Sequence, residues 1–369
     1  MDSLPYELLY RVLAFLNHRQ AFFTHIPLVC WRFRAIQVEI LKASSVDVDI
    51  SLDTNASTAN MYGTWFRLTD LQTLLANDAP SGEGIVTPPA LCKRVFQSCF
   101  VHQPDPWIET HITGFLNLCG SDSKTSLPGA MADVVKRALT ACSPFGHHAI
   151  QRITFRTVVS ISWAVDFGNT MGASSVDLPH WVDNADGTKR AWDRSDEEAL
   201  SLLNASHVVL HRKNLSTLFL LPNARSIQFS PVQIMGPDIS WSSDHGGPKV
   251  HPKLEILDLG SPFPMSASGI EELSRVIQKG RLPRLCRIDA LYTAGGVAFD
   301  TENPTDPLVN RVNALRRLAA ACQSVKVRFR CSSDHAFDYF QQQYGATCGE
   351  SQIDSRMEVI NLSQSTQAV

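Results

Sequence analysis

A chain of 369 residues, 44% hydrophobic and 19% charged, can bury a sizeable core and has the composition of a folded protein rather than a disordered tail. Its formal net charge of −3 provides no basic excess to neutralise phosphates, which argues against a nucleic-acid partner. No apolar run is long enough to cross a bilayer, no basic-then-apolar leader is present, and the nine cysteines include no C-x-x-C pair. The expectation is a cytoplasmic or nuclear protein with no membrane partner, no disulfide framework and no cofactor.

Helical patterning begins at once. Pro5 suits the first position of a helix, where a missing N–H costs nothing, and Asp2, Ser3 and Glu7 supply polarity at the positive end of the dipole. Leu8, Leu9, Val12, Leu13, Phe15 and Leu16 recur at steps of three and four, too many for one narrow stripe. They predict a helix from near Leu4 with two adjoining apolar faces, one for a core and one for a partner. Asn17 and His18 interrupt the pattern, Phe22, Phe23 and Ile26 resume it, and Pro27 sets a boundary before a third helix carrying Leu28, Val29, Phe33 and Ile36. Three short helices within about forty residues bury too little surface to be stable alone.

Leu4-Pro5, the apolar ladder, and Val29-Cys30 with the aromatic Phe33 three residues beyond the cysteine together resemble an F-box, the helical module that docks onto the Skp-type adaptor of a cullin-based ubiquitin ligase. The resemblance spans residues 1–40. It implies an adaptor-facing surface and its support made of Leu4, Pro5, Leu8, Leu9, Val12, Leu16, Val29, Cys30 and Phe33. Phe33 stands where the family usually has Trp, and Asn17-His18-Arg19 replaces a commoner acidic or proline-containing turn. Without the resemblance, the same pattern reads as an amphipathic helical hairpin packed on a larger domain.

From residue 41 to 362 a second domain is expected, with 363–369 as a flexible tail. Residues 77–89, 120–129, 168–193 and 231–252 read as long loops, with helices over 91–100 and 131–142. A short unit, apolar-x-x-apolar-x-apolar, recurs through the chain and is clearest at Leu254, Leu257 and Leu259. Weaker copies start at Ala43, Ile150, Ala205, Ala224, Leu285, Cys322 and Met357; in the second half they are about 30 to 37 residues apart after one shorter step. Between them the period becomes helical at Ile270, Leu273, Val276 and Ile277, with Ser268 as cap, at Val309, Val312, Leu315, Leu318 and Ala319, and around Phe337, Tyr339 and Phe340. Strand followed by helix, repeated, predicts an α/β fold with a parallel sheet. It resembles an irregular leucine-rich-repeat solenoid with long loop insertions, although only the Leu254 copy carries the leucines well and the family's asparagine is missing. A compact α/β domain is the other reading.

No catalytic chemistry stands out. The glycines form no phosphate-binding loop, and neither G-x-S-x-G nor a cysteine-protease signature occurs. His207 and His211 have the spacing of a helical metal pair, but Val208-Val209-Leu210 reads as a strand and no H-E-x-x-H is present. The better candidates are aromatics on insertions: Trp181 and Trp192 among Asp183, Lys189 and Arg190, and Trp241 farther on, either as hot spots for a protein target or as pins holding their loops. The resemblance implies a noncatalytic receptor that binds a Skp-type adaptor, through it a cullin, and a protein substrate. An F-box scaffold in a non-degradative assembly and a metal-dependent hydrolase are the rival readings.

Overall fold

A computed structural model describes residues 5–14, 29–42, 45–51, 65–67, 113–119, 132–133, 135–136, 150–158, 160–183, 188–211, 215–230, 250–260, 265–292, 307–331, 334–344 and 357–361. The fold is α/β with parallel strand pairing. The chain divides into two compact units, Met1–Trp192 and Asp193–Val369, a boundary inside the span expected as a single domain.

The first unit opens with α1 (Tyr6–Ala14) and α2 (Trp31–Lys42), which pack together. Pro5 lies just before α1, its carbonyl accepting the Leu9 N–H at 3.1 Å, so it flanks the helix rather than occupying its first position. The described strands are β1 (Ser45–Ser51), β2 (Trp65–Arg67), β3 (Thr113–Cys119), β4 (Ile150–Thr157) and β5 (Ser175–Leu178), arranged β2-β3-β1-β4-β5. Because β1 sits between β3 and β4, this order departs from the sequential stacking expected of a repeat array. Helix α3 (Ile161–Met171) joins β4 to β5; Ser160 caps it by accepting the Trp163 N–H at 3.1 Å. Gly172, at φ 70°, ends it with its N–H on the carbonyls of Gly168 and Asn169. Phe155 of β4 meets Trp163 and Phe167 edge-on at 6.2 and 6.0 Å, and the latter two stack at 5.3 Å.

The expected loop over 168–193 is largely regular structure. It holds the end of α3, β5, and a hairpin of β6 (Val182–Asp183) and β7 (Lys189–Arg190). One polar residue of this span is accommodated from a neighbouring strand: buried Asp177 of β5 accepts a 2.8 Å hydrogen bond from Arg152 Nη2 of β4. Of the predicted helix over 131–142, residues 132, 133, 135 and 136 are described and helical, whereas residues 77–89, 91–100, 120–129 and 363–369 lie outside the described residues.

The second unit begins with α4 (Arg194–Ala199), whose capping box links Asp193 and Asp196 reciprocally. Its described strands are β8 (His207–Leu210), β9 (Ser226–Phe229), β10 (Ile256–Asp258), β11 (Arg287–Tyr292), β12 (Lys326–Cys331) and β13 (Met357–Asn361), each beside the next in chain order and parallel to it. Helices α5 (Ala267–Gln278), α6 (Pro307–Ala321) and α7 (Asp334–Tyr344) connect the last four. Their apolar stripes, Ile270, Leu273 and Val276, then Val312, Leu315 and Ala319, then Phe340, are buried with Leu257, Ile288, Val327 and Phe329 of the strands. Phe340 meets Phe329 edge-on at 5.3 Å.

The entry to successive strands repeats in its backbone bonds. The Ser206 carbonyl accepts N–H groups from Arg225 and Ser226, that of Arg225 from Glu255 and Ile256, and that of Glu255 from Cys286 and Arg287. The preceding turn is closed by a carbonyl at Leu221 and Leu282, which accept from Ala224 and Leu285. Before β10 a side chain does this instead: His251 Nδ1 accepts the Leu254 N–H at 3.1 Å.

The observed register matches the predicted copies starting at Ala205, Ala224, Leu254 and Leu285, since Val208, Ile227, Leu257 and Ile288 are aligned. It corrects three others. Val327, not Val325, pairs with Ile288; Met357, not Ile360, pairs with Val327; and Val48, not Val46, pairs with Ile153. At Cys322 and Ala43 apolar residues alternate over more positions than the strand face uses, so a shift of two preserves the pattern; at Met357 the shift is three, and the adjacent Val359 and Ile360 offer apolar residues to both faces. The α5 cap is also corrected: Ser266, with extended backbone, accepts the Gly269 N–H at 3.2 Å, and Ser268 lies inside the helix.

Candidate docking and recognition surfaces

In α1, leucines one turn apart point to the core: Leu9 and Leu13 are buried, as is Ile36 of α2. The adjoining face is left to solvent, with Leu8 49% and Val12 58% exposed; Val29, just before α2, is 59% exposed and Trp31, its first residue, 82%. Two helices that pack together thus both carry large apolar side chains with no described cover. Among the residues expected at the adaptor surface, Leu8, Val12, Val29 and Pro5 are exposed, Cys30 and Phe33 are half-buried, and Leu9 is a core residue supporting the face. Leu4 and Leu16 lie outside the described residues. Trp31 was not in the expected set. Its signal was legible: Arg34 and Ala35 follow it at helical spacing, which puts it off the Phe33–Ile36 stripe.

The three insertion tryptophans have different fates. Trp181 is 40% exposed beside the β6–β7 hairpin, with the His180 ring edge-on at 4.4 Å. Trp192 is buried and donates its indole N–H to the Pro179 carbonyl at 3.1 Å, so its side chain is committed to pinning the hairpin. Trp241 lies outside the described residues.

In the second unit the sheet face opposite the buried strand residues carries charge. The aligned row Gln228, Asp258, Asp289, Arg328 and Glu358 crosses β9 to β13, flanked by Arg287 and Lys326 on one side and Arg330 on the other. Arg330 Nη2 donates to Asp258 Oδ2 at 2.9 Å, and Lys326 Nζ lies 2.8 Å from Glu358. Arg287 Nε is 3.2 Å from Asp289 Oδ2, and Arg328 Nε is 3.9 Å from Asp289 and 3.7 Å from Glu358. Burial pushes the Asp289 carboxyl above its ordinary range, against the pull of Arg287, Arg330 and Arg328.

Of the histidines considered as metal ligands, His207 is on β8 and His211 Nδ1–H donates to the Ser230 carbonyl at 3.0 Å. Among the described residues no group of three His, Cys, Asp or Glu side chains is placed to hold a metal ion. Cys331 is buried and its thiol is pushed up to about 12; burial raises that of Cys322 as well. No described helix is long and apolar enough to cross a membrane. In comparisons with protein-family models, with curated proteins and with solved structures, nothing matches the chain.

Proposed function

We propose that this chain is a noncatalytic substrate-recruiting subunit of a Skp/cullin/F-box ubiquitin ligase. In this reading α1 and α2 belong to an F-box whose exposed face, Leu8, Val12 and Val29 with Trp31, docks on a Skp-type adaptor, while Leu9, Leu13 and Ile36 hold that face in place. The observation that carries it is the split of one nine-residue helix into a buried leucine pair and an exposed apolar pair, on a segment that has the F-box spacing.

The second unit is the target-holding part, an irregular leucine-rich-repeat-like solenoid. Strands in chain order and entry turns that repeat from strand to strand support this, as a stack of strand-and-helix units would produce both. The chemical contribution is proximity: the receptor raises the local concentration of a target lysine and supplies no acid, base or nucleophile.

Affinity capture of the intact chain from cells tests the reading. A Skp-type adaptor and a cullin are expected in the captured complex, and Leu8→Ala with Val12→Ala is expected to lower adaptor recovery about tenfold. Capture without an adaptor, or undiminished recovery with a correctly folded double variant, would overturn it.

A further inference from the structure

The charged sheet face of the second unit is unbalanced in what it offers to a partner. Two of its three carboxylates are engaged inward, Asp289 being 7% and Asp258 16% exposed with Asp258 accepting from both Arg330 Nη2 and the Gly260 N–H, whereas Glu358 is 44% exposed and lies 2.8 Å from Lys326 Nζ. Among the described residues four cations share the face, with Lys326 at 53%, Arg287 at 36%, Arg328 at 32% and Arg330 at 26%, against that single outward carboxylate. Arg287 and Arg328 lie near carboxylates but make no hydrogen bond to them. This excess of outward positive charge is complemented by an acceptor-rich anion. Spacing narrows the choice further. Arg328 and Arg330 are two residues apart on β12 and share a face, so they lie about 7 Å apart, the distance between alternate side chains of an extended peptide.

We propose that this face binds an extended acidic segment of a protein target, with Asp or Glu at alternate positions paired to Arg328 and Arg330 and a further carboxylate to Arg287. The proposal names the substrate class for the target-holding role given above and rests on it, yet it concerns a contact made by this chain alone.

The test is fluorescence anisotropy of the full chain, without adaptor, against labelled peptides with Glu, Gln or Lys at alternate positions. The Glu peptide is expected to bind at least about tenfold more tightly than the Gln peptide, to weaken as salt rises, and to lose about tenfold with Arg328→Gln plus Arg330→Gln. Arg316→Gln, an exposed site on α6, is expected to change nothing. Equal binding of the Gln or Lys peptide to the unaltered chain overturns the proposal without recourse to any variant. So does undiminished Glu-peptide binding by the double arginine variant with a native circular dichroism spectrum, or binding only when phosphoserine replaces Glu. Failure here leaves adaptor capture intact, and failure of adaptor capture leaves this binding intact.

Discussion

His251 shows how a single side chain can stand in for backbone. Its Nδ1 closes a turn that carbonyls close at Leu221 and Leu282, and it can do so only while that nitrogen is unprotonated. Burial lowers its pKa from the ordinary 6.5, with the Leu221 carbonyl opposing and Lys253 adding to the shift. Below 6.5 the unfolded chain takes up a proton that the folded ring refuses, so stability is full above that pH and is lost as pH falls toward the lowered value. As pH falls through 6.5 the protein is expected to lose more stability than His251→Asn, which keeps an acceptor but does not titrate. Denaturant titrations of the two proteins giving parallel pH curves would contradict this. The histidine was visible in the sequence, but its role was not, because it is seen only beside the turns that precede the neighbouring strands. Trp31 is the opposite case: spacing within one helix sufficed to set it apart from the buried stripe.

Helices and strands were legible to different depths. The stripes of α5 and α6 predicted both helices and their buried residues, since a 3.6-residue period is distinctive over twelve or fifteen residues. Their ends were less so. Ser266 and Ser268 are both good cap residues, and only backbone conformation selects the first. Ser266→Ala is expected to cost about 1 kcal/mol, and Ser268→Ala, at an exposed position, less than about 0.5 kcal/mol, as read from chemical denaturation. The reverse ranking would return the cap to Ser268. Strand positions were read correctly at Leu254 and Leu285, where Asp258 and Asp289 interrupt the apolar run beside Leu257 and Ile288. Register failed at Cys322 because Val325, Val327 and Phe329 offer more than one frame. Strand β5 escaped notice because Asp177 is polar in sequence and becomes compatible with burial only through Arg152 on another strand.

The α/β class and the parallel sheet followed from strand–helix alternation, but the division at Trp192–Asp193 did not, because the same alternation runs through both units. Nor does the strand order β2-β3-β1-β4-β5 follow from it: a crossover that places β1 between β3 and β4 leaves no mark on a local pattern. The repeat reading therefore belongs to the second unit, where chain order and spatial order agree. The proposed function divides in the same way between a surface with apolar anchors and a surface with charge. The adaptor reading depends most on the first of these. Titration calorimetry of the purified full chain with a purified Skp-type adaptor tests it most directly. Saturable one-to-one binding is expected, weakened about thirtyfold by Trp31→Ala and at least tenfold by Leu8→Ala with Val12→Ala, with Trp181→Ala unchanged. No saturable binding by the unaltered chain, or equal affinity in the Leu8 and Val12 double variant, would contradict it.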